Sequence, residues 1–405
     1  MVQGVGGGVP GTPRVLRAMN DRAALDLLLE HGPLSRTRIG ALTGLSKPTA
    51  SQVLARLEEA GLVRATGTST GRPGPGARLY ALEPGAGYAA GLDVTASRVR
   101  AAVADVTGAV VGAYELPATS EGAAEGAVAR VTRALDEAVA AAGLGRADVR
   151  RLVIGTPGAF DPSTGRLRYA SHLPGWHSPT LLREVAEALP MPVEYDNDVN
   201  LVAVAEQRAG IARGQGDFVL LWSAEGLGAA LVLGGRLHRG FTGGAGEVGF
   251  LPVPGTELVR GVAQENGGGF QRLAGAQTLP ALARQLGVRE VPEGPYPEVA
   301  AALLARSAEA DSGPYRELRG VYATRLATGL ASLVAILDPA LVVLAGGAVT
   351  AGGEPLRARV AAELAELAAA RPRLVMGSVT DDPVLRGALE CALAATRDEV
   401  FDTSR

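Results

Sequence analysis

Ser46-Lys47-Pro48-Thr49-Ala50-Ser51-Gln52-Val53-Leu54-Ala55-Arg56-Leu57-Glu58-Glu59-Ala60-Gly61 decides the fold of the N-terminal region. Ser46 suits an N-cap, because its hydroxyl can accept from an N–H group left open in a first helical turn. Pro48 falls in that turn, where its missing N–H costs little. Val53, Leu54, Leu57 and Ala60 recur at helical spacing as an inward face, and Gly61 closes the helix. The opposite face carries Lys47, Thr49, Ser51, Gln52 and Arg56. Donors and acceptors near a helix N-terminus suit base edges and phosphates in a major groove. A polar outer face is also what a small helical bundle shows to water, so this helix alone leaves both readings open.

The flanking sequence narrows the choice. Gly44 supplies a tight turn before the helix, and Ser35 caps a second short helix carrying Ile39, Ala41 and Leu42. A first helix is expected from Arg14 to Glu30, with Val15, Leu16, Met19, Ala23, Leu27 and Leu28 as its apolar face, ended by Gly32-Pro33. Beyond Gly61, Leu62–Thr66 and Arg78–Leu82 predict paired strands around Gly71-Arg72-Pro73-Gly74-Pro75-Gly76. Three helices and a hairpin make a winged helix-turn-helix domain over residues 14–82. Arg72 near the wing tip suits a narrow minor groove. Arg36, Arg38, Arg64 and Arg78 suit phosphates.

Charge supports this. Residues 1–82 hold 10 Lys and Arg against 5 Asp and Glu, a net of +5, whereas residues 83–405 hold 29 against 37, a net of -8. A basic head on an acidic body points to a polyanion-binding module joined to something else. One such module reads a short half-site. The expected partner is therefore a double-stranded DNA operator with an inverted repeat, bound by a homodimer or higher homo-oligomer.

The chain has 405 residues, 47% apolar and 20% charged, which excludes global disorder and allows several domains. Cys391 is the single cysteine, so neither an intrachain disulfide nor a Cys-rich zinc cluster is available. No basic-then-apolar leader and no apolar run of transmembrane length occur. The expected location is the cytoplasm, with no membrane partner.

Residues 1–13 are expected to form a flexible arm and residues 83–87, Glu83-Pro84-Gly85-Ala86-Gly87, a linker. Strands then replace helices. Tyr88–Val94, Val99–Val106 and Val110–Leu116 predict an antiparallel meander, followed by a helix over Ala123 to Ala142 and a strand at Leu152–Ile154. Phe218–Ser223 and Leu227–Leu233 form a second hairpin. Helical sequence at Tyr315–Leu337 then precedes a strand at Leu341–Leu344. The loosely recurring order suggests two α/β lobes from an old duplication. Their expected extents are 88–196 plus 382–405 for the first and 197–381 for the second.

Four stretches of this body carry polar chemistry: Ile154-Gly155-Thr156-Pro157-Gly158-Ala159-Phe160-Asp161, Leu173-Pro174-Gly175-Trp176, Glu194-Tyr195-Asp196-Asn197-Asp198-Val199-Asn200 followed by Ala205-Glu206, and Gly240-Phe241-Thr242-Gly243-Gly244-Ala245-Gly246-Glu247-Val248-Gly249-Phe250. With the head in front, the chain resembles the ROK family of repressors, open reading frames and sugar kinases from about Arg14 to Arg397. The resemblance implies a two-lobed actin-like/hexokinase fold for the body, with ligand in the cleft between lobes. A hexose shows only hydroxyls, and paired carboxylates and amides such as Asn197, Asp198 and Glu247 suit it. Asp198 occupies the position of the family's catalytic base. Asn197 or Asp198 could equally cap the helix that follows, and Glu247 could be a buried structural partner.

The chain departs from the family at the positions that hold ATP. The family's Asp-x-Gly-Gly-Thr motif is Asp93-Val94-Thr95-Ala96-Ser97 here, and its Gly-Thr-Gly-x-Gly is Ser223-Ala224-Glu225-Gly226-Leu227-Gly228. Side chains replace glycines that let backbone amides close on phosphates, and Glu225 adds repulsion. Gly346-Gly347 resembles the nucleotide-side turn but is also a common connector. On the sugar side, His172 stands where relatives have Asn, Phe250 where they have His, and Gln271 where they have Glu. Val262, Gln264 and Gly269 align with the zinc-ligating cysteines. His172 and Gln271 can still hydrogen-bond a ligand, and Phe250 can stack on a sugar face or fill the space of the lost metal site. No metal and no cofactor are therefore expected, and no catalytic residue beyond the relic Asp198. His31, His177 and His238 are expected at the surface.

These features together predict a regulator, most simply a repressor of carbohydrate genes, with a degenerate kinase domain that senses a sugar or sugar derivative. The alternative is an ATP-dependent sugar kinase with an appended DNA-binding head. A third reading is a DNA-binding dimer whose cleft is a relic.

Overall fold

The structure, a computed structural model, describes residues 12–69, 76–117, 126–161, 164–168, 173, 175–176, 178, 180–260 and 267–404. The expected arm lies outside these except for Thr12 and Pro13, which already belong to the first helix and its cap. Arg72, His172, His177, Val262 and Gln264 also lie outside them.

The head contains α1 (Pro13–His31), β1 (Leu34–Ser35), α2 (Arg36–Thr43), α3 (Lys47–Glu59), β2 (Val63–Thr68) and β3 (Arg78–Leu82). Thr12, Ser35 and Ser46 cap the three helices by accepting a backbone N–H, as their side chains allow. Gly44, at φ 73°, makes the turn between α2 and α3 that favours glycine. β3 pairs with both β2 and β1, giving a three-stranded sheet behind the helices. Two residues of β1 are too few to leave a period in the sequence.

The face of α1 is rotated from expectation. Val15, Leu16 and Met19 are exposed, Met19 by 61%, as is Ala23; the buried stripe is Asp21, Ala24, Leu25 and Leu28. Both stripes have helical spacing. The inward one packs Ala24, Leu25 and Leu28 into the head's apolar cluster, and Asp21 on the same face finds partners there. Ala60, expected inside, is exposed at the C-cap of α3.

The first lobe contains β4 (Tyr88–Val94), β5 (Arg98–Asp105), β6 (Val110–Pro117), α4 (Ala127–Ala141), β7 (Val149–Thr156), β8 (Ala159–Asp161), β9 (Arg166–Arg168), α5 (Leu181–Ala188) and β10 (Val193–Asn197), and leads into α6 (Asp198–Ala209), which packs against both this sheet and the next, where the second lobe was expected to begin at 197. The second contains β11 (Phe218–Ser223), β12 (Leu227–Leu233), β13 (Arg236–Leu237), α7 (Gly269–Ala274), α8 (Leu279–Gln285), α9 (Tyr296–Glu309), α10 (Gly313–Leu337), β14 (Leu341–Ala345), α11 (Gly347–Leu367) and β15 (Arg373–Met376). α12 (Pro383–Val400) returns to the first sheet.

The sheets run β10-β7-β4-β5-β6 and β15-β14-β11-β12-β13. Each is an antiparallel meander extended by two parallel strands from its first strand. The recurrence in the sequence is thus one topology used twice. Central strands such as Leu341–Ala345 are apolar throughout because both faces are covered. One apolar cluster joins the facing surfaces of the two sheets through α6 and α12, including Val153, Leu201, Phe218, Leu220, Val343 and Leu389. Gly387 lets α12 approach the α6 backbone at Leu201 where a Cβ would collide.

α10 is long and apolar enough to cross a membrane by length and composition, but Leu318, Tyr322, Leu326 and Leu330 bury it in the second lobe's core. Cys391 on α12 is largely buried, and that burial, with Asp196 nearby, pushes its thiol up to about 12.

The expected linker forms one 3-10 turn at Pro84–Ala86, but the head does not hang from it. Val106 and Phe401 of the body share an apolar cluster with Leu25, Ile39, Val53, Leu54 and Leu57 of the head.

Candidate functional site

A cavity of about 460 Å³ opens between the lobes, lined from the first by Asp93, Thr95, Ser97, Arg98, Arg100 and Asp198 and from the second by Trp222, Ala224–Gly228 and Glu247. Thr380 and Asp382, on the segment leading into α12, complete it. A second cavity of about 570 Å³ adjoins it, sharing Glu225, Gly226, Leu227 and Glu247 and adding Phe250, Gln271 and Tyr296. Asp198, Glu247, Phe250 and Gln271 are therefore brought together around one cleft.

Asn197 ends β10 and caps α6, accepting from Val199 N–H (2.9 Å) and Asn200 N–H (3.3 Å). Its amide also donates to the Gly158 carbonyl (3.0 Å), so the capping reading holds and its polar atoms are largely used. Asp198 starts α6. Burial pushes its carboxyl up to about 7, the Val199 N–H opposes this, and Asp93, Glu247 and Glu225 add to it. Burial likewise raises Glu247 to about 7. Asp93 rises to about 6 by burial, partly offset by Arg98 and Arg100. These carboxyls sit near the range where one can hold or accept a proton at neutral pH.

Glu247 is held in place by its glycine neighbours. Gly246, at φ 94°, passes against the Ala229 backbone so closely that no side chain fits. Gln271 is less free than expected: its Oε1 accepts from Leu227 N–H (2.8 Å) and its amide donates to Gln277 (2.9 Å). It thereby fixes the turn between β11 and β12. Tyr296 does the same from its hydroxyl to the Glu225 carbonyl (2.6 Å).

Thr95 and Ser97 line the cleft from one side and Glu225 from the other. Arg100 bonds both Glu115 (2.5 Å) and Asp382. Among the described residues, no three His, Cys, Asp or Glu side chains converge as a metal requires.

Glu206, quoted in the sequence beside the Asn197-Asp198 stretch, takes a structural place that sequence reasoning did not give it. It is fully buried on α6. It accepts from Ile211 N–H (2.9 Å) where the chain leaves for the second lobe, and from Ser378 N–H (2.7 Å), Ser378 Oγ (3.0 Å) and Val379 N–H (2.8 Å) where it returns. One carboxylate thus pins both crossings. Only a spacing signal between residues more than 170 apart could have revealed it.

On the head, Arg36, Arg38, Lys47 and Gln52 are exposed, and Thr49 and Ser51 half-buried. Arg36 donates to Ser51 Oγ (3.1 Å), and Thr49 Oγ1 lies 2.8 Å from the capping Ser46 hydroxyl. Arg78 pairs with Glu58 (2.8 Å), and Arg64 lies 3.8 Å from Glu83. Arg56, on the expected polar face, is engaged within the head. Its Nη2 donates to Asp21 (2.5 Å), so it is turned toward α1. His31 and His238 are exposed as expected.

Residues 89–395, well over half the chain, match the sequence profile described as ROK family. The chain belongs to the ROK family. Residues 19–72 match a MarR-family profile, in keeping with the winged helix-turn-helix of the head. A curated relative, the putative xylose repressor of Caldicellulosiruptor sp. (strain Rt8B.4), is 26% identical over 342 residues, covering 82% of this chain and 84% of that protein. Among solved structures, the ROK hexokinase from Thermus thermophilus superposes with a TM-score of 0.62 at 28% identity, covering 77% of this chain and 99% of that one. A ROK family transcriptional regulator described as a homolog of the E. coli MLC protein superposes with a TM-score of 0.72 at 20% identity, covering 96% of this chain and 98% of that one. At that identity the likeness speaks for the fold, and it extends over the head as well as the body.

Proposed function

We propose that the chain is a cytoplasmic, sugar-responsive transcriptional regulator that binds an operator as a dimer. The observation that carries this reading is the pairing of two surfaces. The head presents exposed Arg36, Arg38, Lys47 and Gln52 around α3, while the cleft brings Asp198 and Glu247 together with Thr95, Ser97 and Glu225, which stand at the positions of the family's phosphate motifs. The likeness to a protein named xylose repressor supports it. Gln52, Thr49 and Ser51 would read base edges, Arg36, Arg38 and Lys47 the phosphates, and Arg72 a minor groove. Asp198, Glu247, Phe250 and, through its remaining valence, Gln271 would meet the sugar, with Asn197 shaping the floor and His172 as a further candidate. The switch requires different effector affinity in the operator-bound and free states. A repressor released by its effector is the simplest form.

A thermal-shift screen with sugars, amino sugars and sugar phosphates tests the reading. A ligand at 100 times its Kd should stabilise by about 2.7 kcal/mol, and each hit should then release bound DNA in a gel shift. No shift with any of them would leave only the ligand-independent DNA-binding dimer.

A kinase reading is favoured by one observation: Asp198 lines the cleft with a carboxyl raised by burial to about 7, suited to accept a proton from an attacking hydroxyl. It requires ATP-dependent phosphorylation of a hexose that Asp198→Ala abolishes. Absence of turnover across a hexose panel removes it.

A further inference from the structure

The head and the end of the chain meet at one buried carboxylate. Asp21 of α1 is 4% exposed. One of its oxygens accepts from Arg56 of α3 (2.5 Å), the other from the Thr403 hydroxyl just beyond α12 (3.1 Å). A buried carboxylate needs such partners, because an unpaired charge there is costly. These partners come from two different parts of the molecule. Arg56 belongs to the helix that carries the exposed polar face, and Thr403 to the segment that leaves the body.

Neighbouring contacts fix the same junction. Phe401 is buried in the head's apolar cluster, and Arg22 of α1 lies over its ring (5.6 Å) while bonding Asp398 (2.9 Å). The end of α12 is held to the first lobe by Glu399 with Arg151 (2.9 Å) and by Arg397 with the Val106 carbonyl (2.9 Å). Its beginning lines the cleft through Pro383 and Val384, after Asp382 bonds Arg100. One helix therefore runs from the cleft to the head, about 27 Å at 1.5 Å per residue.

We propose that Asp21 is a positioning residue that clamps α3 to the C-terminal segment of the body and so fixes the orientation of the head on the body. In a dimer that orientation sets the distance between the two α3 helices, and hence which spacing of half-sites is bound. Base preference within a half-site belongs to the exposed face of α3. Spacing preference belongs to Asp21, Arg56 and Thr403. The inference rests on the reading of the protein as a dimeric DNA-binding regulator.

The test is selection of DNA from a random-sequence library by the full-length protein, comparing wild type with Thr403→Val and Asp21→Asn. Thr403→Val removes one hydroxyl, leaves the Asp21–Arg56 pair intact and lies outside the polar face of α3, so it remains informative if Asp21→Asn folds poorly. Wild type should enrich two half-sites at one spacing by about tenfold over neighbouring spacings. Both variants should recover the same half-site but spread over several spacings. An unchanged single spacing in Thr403→Val overturns the proposal. So does an equal loss of affinity at every spacing with a lower Tm, which is what a merely structural role produces. If wild type enriches no sequence, the DNA-binding reading itself falls and takes the clamp with it.

Discussion

Asp198, Glu247 and Asp93 show how far a site can be read one residue at a time. Asp198 and Glu247 could be named from the sequence as carboxylates suited to a polyhydroxyl ligand, and Asp93 as part of an altered phosphate motif; that all three line one cavity could not. Their proton affinities were not legible either, since these depend on burial between lobes that only the fold creates. A carboxyl raised in the folded state stabilises fully below its unfolded pKa of 3.8 and loses that contribution as pH rises through about 7. The ligand-free protein should therefore lose stability from this source between about pH 4 and pH 7. Asp198→Asn keeps an acceptor for the Val199 N–H without the charge. Calorimetry should find the variant more stable than wild type at pH 8, by up to about 1.4 kcal/mol for every tenfold by which folding weakens the acid, with the difference shrinking toward pH 5. A difference that ignores pH would mean Asp198 is solvated. Arg38, exposed on α2, gives a second prediction. Arg38→Ala should reduce the slope of log affinity against log salt by about 0.9 for each phosphate left without its cation, measured in a gel-shift series.

Elements were read with uneven success, for physical reasons. The hairpin at Phe218–Ser223 and Leu227–Leu233 was legible to the residue because a Gly-containing turn separates two apolar runs. α1 was legible as a helix but not in its facing, since two stripes satisfy the same spacing and the packing of Leu25 and Leu28, with partners for Asp21 from distant Arg56 and Thr403, decides between them. The Pro/Gly-rich linker was legible as a break in pattern, yet composition could not show that Phe401, over three hundred residues later, closes the head's core. That packing carries a prediction. Phe401→Ala should cost about 3–5 kcal/mol, as large-to-small changes in a buried aromatic do. It should also uncouple the elements, so that calorimetry shows separate melting of the head and body where wild type shows one transition. A single undivided transition in the variant would mean that the head does not depend on this packing.

For the whole molecule, the duplicated topology was visible as a rhythm of strands and helices, because each lobe spells the same order of periods. How the lobes are joined was not visible, because the joint consists of backbone N–H groups meeting Glu206 from both crossings. Glu206→Gln keeps the shape but replaces one acceptor oxygen with a donor group, leaving at least one buried N–H unmatched, at a cost of about 1–3 kcal/mol. Hydrogen exchange should quicken at residues 377–382 and near Ile211 together, while α3 stays protected; exchange confined to one crossing would argue against a shared pin. Two seams fastened by a single stitch can turn about it but cannot slide. Through an effector titration, distances measured across the cleft should therefore change while the distance between Ile211 and Ser378 stays fixed.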